Sequence, residues 1–365
     1  MIPPFFCIHR RRIGRGQPTF IVAELSGNHH QRYEEAVRLV KAAKKAGADA
    51  VKLQTYTPDT ITLNSDRKWF RVGGRKNPKN WKGKTLYELY KEAYTPWEWQ
   101  PKLKRLADKL GIILFSTPFD ETAVDFLEAM HVPCYKIASY EATDVILLRK
   151  VAKTGKPVIM SVGHATASEI RFALHTLRRF GAKDIAMLHC VTGYSSNPRL
   201  EDMHLSTIAD IKKRFKMVAG FSDNNAGIDI PLMAVKAGAS IIEKHLTLDR
   251  KQGGPDARFS LEPKELKTMV QSIRRGEEGN AKQIRQALGA VSYGPANATE
   301  EYNKRFRRSL FSGKDIKKGE LFTKENVRDV RPAFGLPTKY FDEVIGKHAA
   351  IDIPFATPLS WEMIK

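Results

Sequence analysis

Gly47-Ala48-Asp49-Ala50-Val51-Lys52-Leu53-Gln54-Thr55 is the stretch that decides the fold. A helical pattern comes before it, with Val37, Val40, Ala43 and Ala46 near helical spacing over 33–46, and Gly47 stops that helix. The run from Ala50 to Gln54 then reads as a strand. Side chains alternate across a strand, so Lys52 and Gln54 share one face while Val51 and Leu53 point the other way. A strand that is apolar on one face and charged on the other fits a wall between a helix ring and a polar interior.

The same unit repeats on both sides of this stretch, from Pro18 to about Arg275. Strands are expected at Thr19 to Ala23, Ile112 to Ser116, Cys134 to Ala138, Val158 to Ser161, Ile185 to Cys190, Met217 to Phe221 and Ser240 to Leu246. Helices fit around 121–130, 143–154, 167–180, 203–214, 229–237 and 262–275. Eight strands over roughly 250 residues is the size of a closed (β/α)8 TIM barrel. A doubly wound open sheet fits less well, because no glycine-rich phosphate turn follows the first strand. Residues 63–85, rich in Arg, Lys and Gly, read as a long loop at the second strand's exit, where lids are often found. The organisation expected is an extension at 1–17, the barrel at 18–278, a linker at 279–305 and a small, mostly β domain at 306–365.

Composition sets outer bounds. With 42% hydrophobic and 28% charged residues in 365, the chain can bury a large core and is not disordered. No apolar run is long enough to span a bilayer. Cys7, Cys134 and Cys190 do not make a disulfide framework, which fits a reducing, cytoplasmic setting. The formal net charge is +21, but Lys and Arg are spread over many segments and no nucleic-acid-binding motif accompanies them. We read this charge as solvated surface that also steers an anionic substrate, with neither nucleic acid nor membrane as a partner. The basic residues before Pro18 fit a flexible extension or an Arg-rich transit segment.

Catalysis in a barrel sits at the C-terminal ends of the strands. Nearly every predicted strand carries a polar residue there: Glu24, Lys52 and Gln54, Ser116-Thr117, Lys136 and Ser139, Ser161, Ser222-Asp223-Asn224, and Glu243 with His245. A buried lysine without a partner costs several kcal/mol. Two interior lysines ringed by Thr117, Ser139, Ser161 and Ser222 therefore ask for an anion, such as a phosphate together with a carboxylate. A purely structural interior network is the bland alternative. Spacing goes no further.

Several stretches resemble the sialic acid synthase family: Ile21-Val22-Ala23-Glu24-Leu25-Ser26-Gly27-Asn28-His29, the run from Gly47 to Thr55, Tyr135-Lys136-Ile137-Ala138-Ser139, Ile242-Glu243-Lys244-His245 and Gly253-Gly254-Pro255-Asp256. The tail, from Asp315-Ile316-Lys317-Lys318-Gly319-Glu320 through Val330-Arg331-Pro332, is similar to the antifreeze-like (SAF) domain of those enzymes. The segments 54–62, 81–90 and 94–99 resemble the pseudaminic acid branch of the family.

That resemblance implies condensation of phosphoenolpyruvate with an open-chain acetamido sugar, a 2,4-diacetamido-2,4,6-trideoxy-altrose in the pseudaminic branch, with phosphate leaving by C–O cleavage. It implies Glu24 as acid or base, Lys52 on the carboxylate, and Lys136, Thr117, Ser139, Ser161 and Ser222 on the phosphate. Glu243 or Asp256 would be the second carboxylate, and Gln54 and Tyr194 would contact the sugar. Arg331 would come from the partner subunit of a domain-swapped homodimer. A divalent metal, Mn or Mg, would sit on His245. Asn224 stands where the family usually has a second histidine, which makes it a weaker ligand that suits a harder cation. His164 and Thr192 also depart from the usual pattern at their strand exits. The rival readings are an N-acetylneuraminate or legionaminate synthase, or a family member that binds ligand without turnover.

Overall fold

The computed structural model describes residues 5–72, 83–192, 199–277 and 279–365. The first two strands, β1 (Phe5–Ile8) and β2 (Arg11–Gly14), pair as an antiparallel hairpin. Eight further strands close a parallel barrel: β3 (Phe20–Glu24), β4 (Ala50–Thr55), β5 (Ile113–Pro118), β6 (Tyr135–Ile137), β7 (Val158–Ser161), β8 (Ile185–Val191), β9 (Val218–Asp223) and β10 (Ile241–His245), with β10 pairing back onto β3. All eight fall where the sequence pattern put them.

Alternation sorts the barrel's residues. Ile21, Ala23, Val51, Leu53, Met160 and Ile242 pack outward in one apolar cluster with the helices. Phe20, Val22, Ala50, Phe115, Ile159, Leu188 and Ile241 form a second cluster in the interior. Two residues further along the same inward faces the chemistry changes: Val22 gives way to Glu24, Ala50 to Lys52, Phe115 to Thr117, Ile159 to Ser161 and Ile241 to Glu243. The lower barrel is apolar and the mouth is polar.

The helices are α1 (Tyr33–Ala46), α2 (Pro58–Ile61), α3 (Leu86–Ala93), α4 (Gln100–Leu110), α5 (Glu121–Ala129), α6 (Val145–Lys153), α7 (Ala167–Arg179), α8 (Ser206–Phe215), α9 (Asp229–Lys236) and α10 (Pro263–Arg275). Their ends follow the chemistry of capping. Gly47 closes α1 in the left-handed region (φ 90°), and Thr166 with Glu169 makes a capping box on α7. The helices α3 and α4 lie where the sequence reading placed none. Both are amphipathic and α3 opens on a capping box of Thr85 and Glu88, but they follow directly on a Gly- and Lys-rich stretch read as loop.

The N-terminal hairpin closes the bottom of the barrel instead of forming a free extension. Ile8 and Ile13 are fully buried in the interior cluster, and Arg11 reaches Asp49 at 3.3 Å. The expected linker is likewise folded onto the barrel. It contains α11 (Ala281–Leu288) and α12 (Ala298–Asn303), and the Leu205 amide donates to the Ala287 carbonyl at 2.9 Å. Buried Glu300 accepts from the Thr192 hydroxyl at 2.9 Å, so Thr192 anchors this segment at the exit of β8.

The C-terminal domain pairs β11 (Ser309–Ser312) with β12 (Val327–Val330) and carries one short helix, α13 (Phe341–Val344). It docks on the barrel of its own chain. The Arg331 amide donates to the Ile61 carbonyl at 2.9 Å, Thr62 Oγ1 donates to the Arg331 carbonyl at 2.8 Å, and Phe70 packs on Phe311 with ring centroids 5.2 Å apart. The lid-like part of the second-strand loop, residues 73–82, lies outside the described residues.

Candidate active site

Four charged side chains meet at the barrel mouth. Lys52 Nζ lies 2.6 Å from Glu24 Oε2 and 3.3 Å from Glu243 Oε1, and Lys136 Nζ lies 3.6 Å from the same Glu243 oxygen. Hydroxyls fill the remaining directions. Lys52 donates to Thr117 Oγ1 at 3.1 Å, Lys136 donates to Ser161 Oγ at 2.7 Å, and Ser222 Oγ donates to Glu243 Oε1 at 3.0 Å. Ser139, just past β6, accepts from the Gly163 amide at 3.1 Å. The two lysines predicted from sequence therefore meet on one carboxylate oxygen. One correction follows. They are not left without partners, because two carboxylates of the same chain balance them, and an incoming anion must take over these contacts.

Burial and neighbours set the charges. Burial, opposed by Lys52 and helped by Glu243, pushes the Glu24 carboxyl above its usual range. Burial alone would lower Lys52, yet Glu24 and Glu243 outweigh it and raise the ammonium's pKa, so Lys52 stays charged. Lys136 is held below the ordinary lysine value by burial, which Glu243 only partly offsets. A lowered Lys136 beside hydroxyls is ready to gain from a bound phosphate.

A second set of groups lies on the sugar side. Gln54 Nε2 donates to Glu24 Oε1 at 3.2 Å, and Ser26 Oγ donates to Asp256 Oδ2. His245 Nδ1 is 3.7 Å from that Asp256 oxygen and has no hydrogen-bond partner, although it is buried. His245 pairs with Glu24 in the barrel register, and Asn224 follows Asp223, the β9 residue paired with Lys244. The Asn224 amide nitrogen donates to Cys190 Sγ at 3.2 Å, which leaves the amide oxygen as the atom it could offer a cation. Among the described residues no cluster of three or more His, Cys, Asp or Glu gathers, so any cation here would rest on His245 with oxygen donors.

Arg331 is present at the mouth, but from the chain's own small domain. Its Nε donates to Glu141 Oε1 at 3.1 Å and its Nη1 to Tyr90 Oη at 3.2 Å, and its guanidinium lies 5.0 Å from the Tyr140 ring. Within the single chain the cap docks on α2 and the Leu63–Phe70 stretch, and this places its own Arg331 where the resemblance puts a partner subunit's arginine.

His164, read as a loop histidine, is buried instead. It stacks on Tyr140 at 4.8 Å and meets Arg307 at 3.2 Å, and burial and that guanidinium hold it down to about 3. Tyr194 lies outside the described residues. Sequence reasoning missed Ser26 and Glu141. Ser26 was readable as the residue two past Glu24 on a strand exit. Glu141 gave no such signal, because its partner Arg331 comes from the small domain.

The NeuB family profile matches residues 39–285 and the SAF domain profile matches 307–365. Pseudaminic acid synthase from Campylobacter jejuni is 43% identical over 93% of this chain and 95% of its own length. The Helicobacter pylori pseudaminic acid synthase is 41% identical over 96% and 98%. The crystal structure of spore coat polysaccharide biosynthesis protein SpsE from Bacillus subtilis superposes with a TM-score of 0.83 at 33% identity, covering 99% of both chains. With the polar barrel mouth and the docked C-terminal domain, these matches make the chain a member of the NeuB family that carries a SAF domain.

Proposed function

We propose that this chain condenses phosphoenolpyruvate with an open-chain acetamido sugar aldehyde to form a nonulosonic acid. The acceptor would be a 2,4-diacetamido-2,4,6-trideoxy-altrose, as in a pseudaminic acid synthase. One observation carries the reading: Lys52 and Lys136 converge on a single carboxylate oxygen, within a ring of hydroxyls, at the mouth of the barrel. Such a cluster is matched in charge and shape to a donor that carries a carboxylate and a phosphate. Identity above 40% to two pseudaminic acid synthases supports the choice of acceptor.

In this mechanism Lys52 leaves Glu243 to pair with the donor carboxylate. Lys136, with Thr117, Ser139, Ser161 and Ser222, takes the phosphate. The donor's C3 bonds to the aldehyde carbon, and the carbonyl electron pair becomes an alkoxide that accepts a proton. Water adds to C2 and loses a proton, which Glu24, its carboxyl pushed above the usual range by burial, is placed to relay. The C2–O bond to phosphate then breaks, its electrons leave with phosphate, and the C2 hydroxyl gives its proton to the departing phosphate as C2 becomes the ketone. Asp256, fixed by Ser26, with Gln54 and the cap's Arg331, would orient the sugar.

A divalent cation fits the buried, unpartnered His245 Nδ1 beside Asp256, with Asn224 as a weak second ligand, and when bound it would polarise the aldehyde. The domain-swapped homodimer that the resemblance implies belongs to the same proposal.

The test is phosphate release from phosphoenolpyruvate with a panel of acceptors: the diacetamido altrose, its legionaminate-type epimer and N-acetylmannosamine. The altrose is expected to react fastest. Preference for another acceptor would move the chain to a sister synthase. Retained donor binding without phosphate release from any acceptor would make it a non-catalytic member.

A further inference from the structure

A cleft of about 600 Å³ opens where α7, the α12 segment and the cap meet, away from the barrel mouth. Cations dominate its walls. Three of them have carboxylate partners: Arg307 lies 2.7 Å from Glu169, Lys304 lies 3.0 Å from Glu301, and Arg308 lies 3.6 Å from Asp144. Arg305 and Lys339 also line the cleft and meet no carboxylate among the described residues.

Arg305 is held by aromatic faces instead. Its guanidinium lies 5.1 Å from the Tyr302 ring and 5.6 Å from Phe334, and its Nε is buried without a hydrogen-bond partner. The neighbouring α7 wall presents Phe172, 43% exposed although it lines the cleft. Arg305 also donates from Nη1 to Tyr302 Oη at 2.6 Å, and Lys339 lies 4.7 Å from the Tyr340 ring. Two cations that meet no carboxylate among the described residues, together with an uncovered ring, are what a ligand bearing both a phosphate and a planar base would use: the cations for the charge, the ring for stacking.

We propose that this seam binds a nucleotide, with its phosphate on Arg305 and Lys339 and its base against Phe172. The site has a physical route to the barrel mouth. Arg307, one wall of the cleft, donates to the His164 carbonyl at 3.0 Å; His164 stacks on Tyr140; and Tyr140 packs against Arg331. A nucleotide in the cleft would therefore hold the cap, and with it Arg331, in the docked position.

The experiment is calorimetric titration of the full chain, with saturating phosphoenolpyruvate occupying the barrel, using inorganic phosphate and then each of the four ribonucleoside monophosphates. At least one nucleotide is expected to bind at one site per chain, tenfold or more tighter than inorganic phosphate. Arg305→Gln combined with Lys339→Gln should weaken it at least tenfold. Phe172→Ala should remove the advantage of the nucleotide over phosphate. Neither change should alter phosphate release measured without nucleotide. No saturable binding, binding no tighter than inorganic phosphate, or binding that survives all three substitutions would overturn the proposal.

Discussion

At the residue scale, the barrel mouth is a problem in buried charge. Moving an ion out of water costs several kcal/mol, and truncating one member of a buried pair costs about 3–5 kcal/mol because the other is stranded. Lys52 is 4% exposed and touches both Glu24 and Glu243, so its charge is locked in place before any substrate arrives. His245 is the opposite case, a buried imidazole nitrogen with nothing to bond. We expect His245→Ala to lower the divalent metal retained after dialysis at least tenfold, as read by elemental analysis of matched samples. Equal metal content in both would remove the cation from the account.

His189 gives a second prediction on the same physics. Its Nε2 lies 2.8 Å from the Met203 carbonyl, and burial holds the imidazole down to about 4 from an ordinary 6.5. Between those values the unfolded chain binds a proton that the folded chain refuses. The stability owed to neutral His189 is therefore complete above the ordinary value and drains away as pH falls toward the folded one. Going from pH 7 to pH 5, His189→Gln should lose about 2 kcal/mol less stability than the parent in urea titrations. Identical pH slopes would contradict it.

The polar residues of the site were legible in the sequence because the strand period forces Lys52 and Gln54, and Glu243 and His245, onto one face. The site's supports were not. Glu141 meets Arg331 across 190 residues of sequence, and no local period records that contact.

At the scale of elements, most barrel strands are a two-part instruction: apolar below, polar two residues later. That alternation made all eight strands readable and put the mouth at the right end. It did not reveal α3 and α4, which follow a stretch read as loop, nor the hairpin β1–β2, where Ile8 and Ile13 are little signal against a basic background. The hairpin nevertheless closes the apolar floor. Truncating a fully buried Ile removes about 2–5 kcal/mol, so Ile13→Ala should lower unfolding stability by that amount while leaving the mouth intact. Denaturant titration beside a phosphate-release assay would show it. Unchanged stability would mean the hairpin is only an appendage.

At the scale of the whole molecule, barrel, linker and cap are joined by a buried ionic seam. Arg308, 1% exposed in its side chain, lies 3.6 Å from Asp144 and 3.9 Å from Glu141 on the barrel, and 3.7 Å from Asp329 on the cap. Removing the guanidinium takes the ion-pair partner from Asp144 and Asp329, while Glu141 keeps Arg331. Arg308→Ala should cost about 3–5 kcal/mol, and limited proteolysis should then cut ahead of the cap. A variant as stable and as protease-resistant as the parent would show that the cap is held by something else. The cap's chemistry was legible as a SAF-like tail, but its docking in cis was not, because the hydrogen bonds that fix it join Thr60 to Thr62 with residues near Arg331, far apart in the chain.

The central claim is that Lys52 and Lys136 exchange their carboxylate partners for phosphoenolpyruvate. Calorimetric titration of phosphoenolpyruvate into the parent, Lys52→Gln and Lys136→Gln, without acceptor, tests it most directly. The account predicts one site per chain in the parent and a loss of affinity of at least thirtyfold, about 2 kcal/mol, in each variant. Equal affinity in all three proteins would contradict it.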